Sequence, residues 1–261
     1  MAGLQSSNPV FRNTPTLQRG GAAYGVGGGY PSPQDVTDIY NTPQRLTMDD
    51  VVVKTGILLG TVVVTGAMAW VLNAGPGLVA AAGIGGFVLA MVNIFKRQVS
   101  PPLILAYAAL EGVFLGAISH AYDTRYNGIA LQAAVTTAAI FGGVLFGYKS
   151  GRLRATPKFT KIVTGAFLGL FALVVVNALG SLIGGGDGLG LRSGGGIAIL
   201  FSLAFIVVGS LTFVLDFDQA DRMIEAGVDA REAWRISFGL VVGLVWLYLE
   251  VLRLLSYFNR R

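Results

Sequence analysis

The chain has 261 residues, of which 53% are hydrophobic and only 13% charged, and its mean hydropathy is +0.65. A water-soluble domain carries about 25% charged residues, so the composition excludes one and indicates a polytopic membrane protein. The formal charge of +5 comes from basic residues lying between apolar runs, which speaks against nucleic acid as a partner. The absence of cysteine excludes disulfides, thiol catalysis and Cys-ligated metals.

Residues 1–46 are rich in Gly, Pro, Ser, Asn and Gln, with "GGAAYGVGGGYPSP" at their centre. Such a segment cannot bury enough surface to fold alone and reads as a disordered tail, with a partner-binding role open to it. The first apolar run begins only near residue 51, which is not the layout of a cleavable signal peptide. The remainder, 47–261, reads as one all-α membrane domain.

A helix needs about 20 apolar residues to cross a ~30 Å hydrocarbon core. Seven runs qualify: Val51–Asn73, Gly77–Phe95, Pro102–Tyr122, Gly128–Tyr148, Ile162–Gly184, Gly196–Asp216 and Ile236–Tyr257. "LTMDD" supplies Thr47 as an N-cap with Asp50 at capping-box spacing. "NAGPG" marks a turn, "SPP" stops the second run, and "GGGDGLGLRSGGG" is a loop. GxxxG spacing recurs at Gly112/Gly116, Gly143/Gly147, Gly165/Gly169 and Gly239/Gly243. It reads as close packing within the bundle rather than a dimer face.

Alternate connections hold Lys96 and Arg97, then Lys149, Arg152, Arg154, Lys158 and Lys161, then Arg222, Arg231 and Arg235. They share a side with Arg12, Arg19 and Arg45, whereas the opposite connections hold only Arg125 and Arg192. The expected N-terminus is therefore cytoplasmic. Seven spans then leave Arg260 and Arg261 outside, against the rule.

Ionisable residues inside apolar runs are functional candidates by default. Lys54 lies about one turn into the first span and can snorkel to the headgroups. Glu111, ten residues into the third span, must carry a proton, face water or meet a partner from another helix. Asp216 follows nineteen uncharged residues, Ile197–Leu215. Near it, Asp218 and Arg222 have i, i+4 spacing, the mark of a solvated helix end. Glu250 sits inside "VGLVWLYLEVLRLL", where an i, i+3 pair with Arg253 would satisfy it without any function. Two acids brought together would share a proton, and carboxylates are also what Ca²⁺ uses as ligands. Counting residues leaves the pairing of Asp216 and Glu250 open. From Ile236, Glu250 lies about 20 Å deep, so either the sixth helix continues past Asp216 or the acids form separate sites.

His120 is the only histidine, so HExxH and histidine-cluster metal sites are absent. Its neighbour Ser119 does not share its helix face. "GGGD" (Gly184–Asp187) matches the GxGD of intramembrane aspartyl proteases by letter, but lies in a loop and lacks a partner aspartate on the fifth span. No Walker or convincing dinucleotide motif is found, so the expectation is no enzyme and no cofactor.

"LDFDQ" ending the sixth span and "LYLEVLRLL" in the seventh, with "AYAALEGVFLGAIS" and "FKRQ" before it, resemble the Bax inhibitor (transmembrane Bax inhibitor motif) family. The nearest likeness is to its bacterial YccA-like branch and covers residues 47–258, while "QSSNPVFR" looks like the opening of some bacterial members. The resemblance implies a two-layer bundle of seven helices around a central C-terminal helix. It also implies a pH-sensitive Ca²⁺ leak gated by an acidic pair on helices six and seven, falling on Asp216 and Glu250, which would also be the Ca²⁺ ligands. Many members have aspartate at the second position, so Glu250 is a departure, and Arg253 could neutralise it. A basic latch would fall on Lys96 or Arg97.

The expectation is a cation leak of a bacterial inner or plasma membrane, with the bilayer, Ca²⁺ and protons as its partners and Glu111 on the ion path. The alternative is a non-conducting regulator that binds other membrane proteins, such as a protease or stress factor. A proton-coupled transporter would predict an inverted repeat, and none is convincing.

Overall fold

The computed structural model describes residues 44–184, 189–191 and 193–259. Among these, seven helices are long and apolar enough to cross a membrane, as the composition requires. They are α1 (Met48–Val71), α2 (Pro76–Phe95), α3 (Pro101–Asp123), α4 (Ile129–Lys149), α5 (Pro157–Gly184), α6 (Gly196–Glu225) and α7 (Ala233–Asn259). A 3-10 turn, Ala230–Glu232, precedes α7. The expected tail as far as Pro43, and Arg192, Arg260, Arg261 and Gly185–Asp187, lie outside the described residues.

Local chemistry explains several boundaries. The Thr47 side chain accepts from the Asp50 N–H at 3.2 Å, and the Asp50 carboxylate accepts from the Thr47 N–H at 3.2 Å. This is the expected capping box, which satisfies two donors that an α-helix leaves unpaired at its start. Proline occupies the first turn of α2 and of α3, where its missing N–H costs nothing. α6 departs from expectation by continuing nine residues beyond Asp216. Buried Phe217 and Ala220 and the Asp218–Arg222 ion pair carry it on.

α7 is the hub, packing against α1, α3, α4 and α6, and it has the longest buried face. Phe213, Val214, Leu240, Leu247 and Leu252 belong to one core cluster, and Leu58, Ile104, Tyr107, Val241 and Val245 to a second. α2 packs mainly on α3, and α5 mainly on α6, so these two are the outermost helices. A polar seam joins α1 to α7: the Thr55 hydroxyl donates to Ser237 Oγ at 3.0 Å, and Ser237 donates to the Val51 carbonyl at 3.1 Å.

Residues 44–46, which composition groups with the tail, are docked. The Leu46 N–H donates to the Val228 carbonyl at 2.8 Å and the Ala230 N–H to the Gln44 carbonyl at 2.7 Å. The Leu46 side chain is only 2% exposed. Lys54, expected to snorkel, instead donates to the Ala230 carbonyl at 2.8 Å and pairs with Asp50 at 3.3 Å. The entry to α1 is thus strapped to the α6–α7 connection. Leu46→Ala is expected to cost about 2–3 kcal/mol, read as a lower thermal midpoint of the detergent-solubilised protein. A cut separating tail from bundle belongs after Pro43, not after Leu46.

Candidate functional site

The lysine- and arginine-rich connections gather at one end of the bundle, called here the basic end, where α1, α3, α5 and α7 begin and α2, α4 and α6 finish. Asp216 lies on α6 toward this end. It lines a cleft of about 390 Å³ together with Asn93 and Ile94 of α2, Gln219 of α6, and Arg235, Ile236, Phe238 and Gly239 of α7. The cleft exists because α2 leans on α3 and leaves a gap toward α6 and α7. Asp216 is half-buried. Among the described residues no group hydrogen-bonds to its carboxylate or forms an ion pair with it.

Arg235 is the cation on this cleft. It donates through Nε to Glu232 Oε2 at 2.9 Å and through Nη2 to the Arg97 carbonyl at 2.7 Å. It therefore ties the start of α7 to the α2–α3 connection. The Lys96 and Arg97 side chains, the expected latch, are exposed and do not line this cleft; only the Arg97 backbone takes part. Nearby acids on α6 have partners of their own: Asp218 pairs with Arg222 at 2.7 Å, and Asp221 accepts from the Tyr148 hydroxyl at 2.6 Å.

Glu250 is not at the cleft. It is 2% exposed and holds two partners: the Ser202 hydroxyl donates to Oε1 at 2.8 Å, and Arg253 donates to Oε2 at 2.5 Å. α6 and α7 run antiparallel, and Ser202 precedes Asp216 by fourteen residues on α6. The two acids are thus separated by about 20 Å along the helices. The expected pairing of Asp216 with Glu250 is therefore corrected: they form separate sites. What α7 sets opposite Asp216 is Ile236, Phe238 and Gly239, not an acid. The i, i+3 ion pair with Arg253 is the arrangement found at Glu250.

Glu111 lies between these levels. Its Oε2 sits where a Cβ on Gly86 would be only 3.0 Å away, so the absent side chain at Gly86 is what admits the carboxylate. Glu111 is half-buried and has no hydrogen-bond partner or ion pair among the described residues. Gly86 and Asn93 are seven residues apart, which puts them on one face of α2 and about 10 Å apart in depth. Asp216 and Glu111, half-buried carboxylates that both lack a partner among the described residues, are therefore arrayed along the same face of α2. Cavities beside carboxylates and amide oxygens suit hydrated cations.

Sequence reasoning missed Asn93, Gln219, Ser202 and the placement of Arg235. Asn93 and Ser202 were detectable as polar residues inside apolar runs. Nothing local distinguishes Arg235 from the other cations near the basic end. At the opposite end, Ser119 bonds the Tyr248 hydroxyl at 2.6 Å. His120 lies edge-on to Trp70 with ring centroids 5.2 Å apart, and its buried Nδ1 has no hydrogen-bond partner. Ser119 and His120 are thus engaged separately, as their adjacent helical positions require.

A protein-family model described as Bax inhibitor 1 like matches residues 8–260. No curated protein matches the chain.

Proposed function

The chain belongs to the Bax inhibitor 1-like family, and from that premise we propose that it is a leak for cations, foremost Ca²⁺, admitted at the Asp216 cleft. Membership supports a membrane regulator or channel-like role in general. The finer reading rests on one observation: Asp216 is a half-buried carboxylate without a partner in a cleft lined by Asn93, Gln219 and Arg235. In this reading Asp216 is the single gating acid and Glu111 the next carboxylate inward along α2. Glu250 and Arg253 form a structural ion pair, and the Ca²⁺-ligand role expected of Glu250 passes to the Asp216 cleft.

Arg235 replaces Lys96 and Arg97 as the latch. Its guanidinium repels an entering cation and also holds α7 to the Arg97 carbonyl. Moving it would remove both the field and the tie. Protons and Ca²⁺ compete for the Asp216 oxygens, which makes the flux depend on pH. On the Lys and Arg asymmetry, the basic end with its cleft faces the cytoplasm, and the membrane is the inner or plasma membrane of a bacterium.

The test is Ca²⁺ flux into proteoliposomes from about pH 5.5 to about 8. Asp216→Asn is expected to flatten the pH profile and to change the flux by about tenfold, while Glu250→Gln keeps the native profile. If the native protein moves no Ca²⁺ at any of these pH values, the leak reading fails. A profile flattened by Glu250→Gln and not by Asp216→Asn would reverse the assignment of the two acids.

A further inference from the structure

The connection between α4 and α5 concentrates charge of one sign. Lys149, Arg152, Arg154, Lys158 and Lys161 lie within residues 149–161, which contain no Asp or Glu, and all five are exposed. None of them is ion-paired with a carboxylate among the described residues. Five mutually repelling cations on a slack loop would spread apart. This connection is instead folded.

Gly151 turns the chain at φ 73°, a left-handed conformation that favours glycine. The Gly151 N–H donates to the Tyr148 carbonyl at 2.9 Å, Leu153 to Gly147 at 3.0 Å, and Thr156 to Arg154 at 2.9 Å. The Thr156 hydroxyl then caps α5 by accepting from the Phe159 N–H at 3.2 Å. Leu153, Ala155 and Phe159 pack on the core cluster, so the backbone alternates, apolar side chains inward and Arg152 and Arg154 outward. Lys158 and Lys161 occupy the first turns of α5, where the first turn has no acidic residue and the helix dipole disfavours cations. A preference for basic residues on one side of the membrane requires cations somewhere near this end. It does not require them fixed in one array at an unfavourable helix end.

Among the described residues no carboxylate pairs with any of the five, and Asp218 and Asp221 are engaged by Arg222 and Tyr148 instead. The array sits where two membrane-spanning helices meet, so it lies at headgroup depth. On its bilayer side Phe146 is 68% exposed and Ile162 61% exposed. The surface is cationic above and apolar below, matching a phosphate group followed by acyl chains. We propose that this connection is a binding surface for anionic phospholipids of the surrounding bilayer, their phosphate oxygens accepting hydrogen bonds from the lysine and arginine groups. The assignment does not depend on the leak.

The full-length protein in neutral detergent is titrated with short-chain phosphatidylglycerol, and the thermal midpoint is followed. The fourfold variant Lys149→Gln, Arg152→Gln, Lys158→Gln, Lys161→Gln leaves Arg154 in place, because its Nε donates to the Gly151 carbonyl at 3.0 Å and helps to fold the connection. It is expected to need at least about tenfold more lipid for half the native shift. Its midpoint without lipid shows whether it is folded. The control Lys96→Gln, Arg97→Gln, which removes exposed cations at the same end, is expected to respond like the native protein. Phosphatidylcholine and inorganic phosphate are expected to produce no comparable shift. The proposal is overturned if the fourfold variant responds normally, if the control loses the response equally, or if inorganic phosphate reproduces it.

Discussion

Replacing Arg253 with methionine is expected to lower the stability of the solubilised protein by about 3–5 kcal/mol, the usual consequence of leaving a buried charge without its partner. Glu250 is 2% exposed and its two oxygens are divided between the Ser202 hydroxyl and the Arg253 guanidinium. Without Arg253 the carboxylate retains one neutral donor in apolar surroundings. Glu250→Gln should be milder, because an amide keeps an acceptor for Ser202 and the Arg253 side chain, 22% exposed, can reach out of the packed interior. The double variant Glu250→Gln, Arg253→Met removes both charges at nearly constant volume and is expected to recover most of the loss. Thermal unfolding of the four proteins separates the cases. A single Arg253→Met loss below about 1 kcal/mol would mean that the pair is screened like a surface ion pair. The structural role assigned to Glu250 would then fail.

The elements most legible in sequence are those decided locally. Apolar runs of about 20 residues mark the seven spans, and Thr47–Asp50 marks the start of α1, because a cap is satisfied within one turn. "NAGPG" and "SPP" read only as a turn and a stop, and their prolines open α2 and α3. The end of α6 was hidden for the opposite reason. Hydropathy falls at Asp216, yet Phe217 and Ala220 are buried by neighbouring helices, and burial of that kind is tertiary. The acids divide in the same way. That Glu250 could pair with Arg253 follows from i, i+3 spacing. That Asp216 lies level with Gly239 rather than with Glu250 depends on how two antiparallel helices are staggered, which no spacing within either helix records. Glu111 was visible as an acid in mid-helix, but its place beside Gly86 is set by the α2–α3 contact. Gln44–Leu46 look like tail by composition. They are held by backbone hydrogen bonds to residues 228 and 230, and composition says nothing about those.

The four GxxxG pairs are equivalent by spacing, yet the structure separates them, and Gly116→Ala is expected to have the largest effect of any glycine replacement. A Cβ at Gly116 would collide with the backbone O, C and Cα of Gly66, and one at Gly112 with the backbone of Val62 and with Thr65 Oγ1. α1 and α3 therefore touch backbone to backbone, and no side-chain rotation can make room. Overpacking ordinarily costs about 1–3 kcal/mol; with backbone on both sides, the upper part of that range is expected. Gly165 and Gly169 on α5, by contrast, have nothing within 4 Å of an added Cβ. Gly165→Ala should be neutral, or stabilising by up to about 1 kcal/mol through helix propensity. Glu111 directly precedes Gly112, so pushing α3 away from α1 also shifts its carboxylate relative to Gly86. Gly116→Ala is thus expected to disturb cation flux even in protein that remains folded, whereas Gly165→Ala leaves both melting and flux unchanged or slightly improved. Equal melting midpoints for the two variants would mean that α1 and α3 can separate freely. The close α1–α3 contact could then no longer be what fixes Glu111 in place.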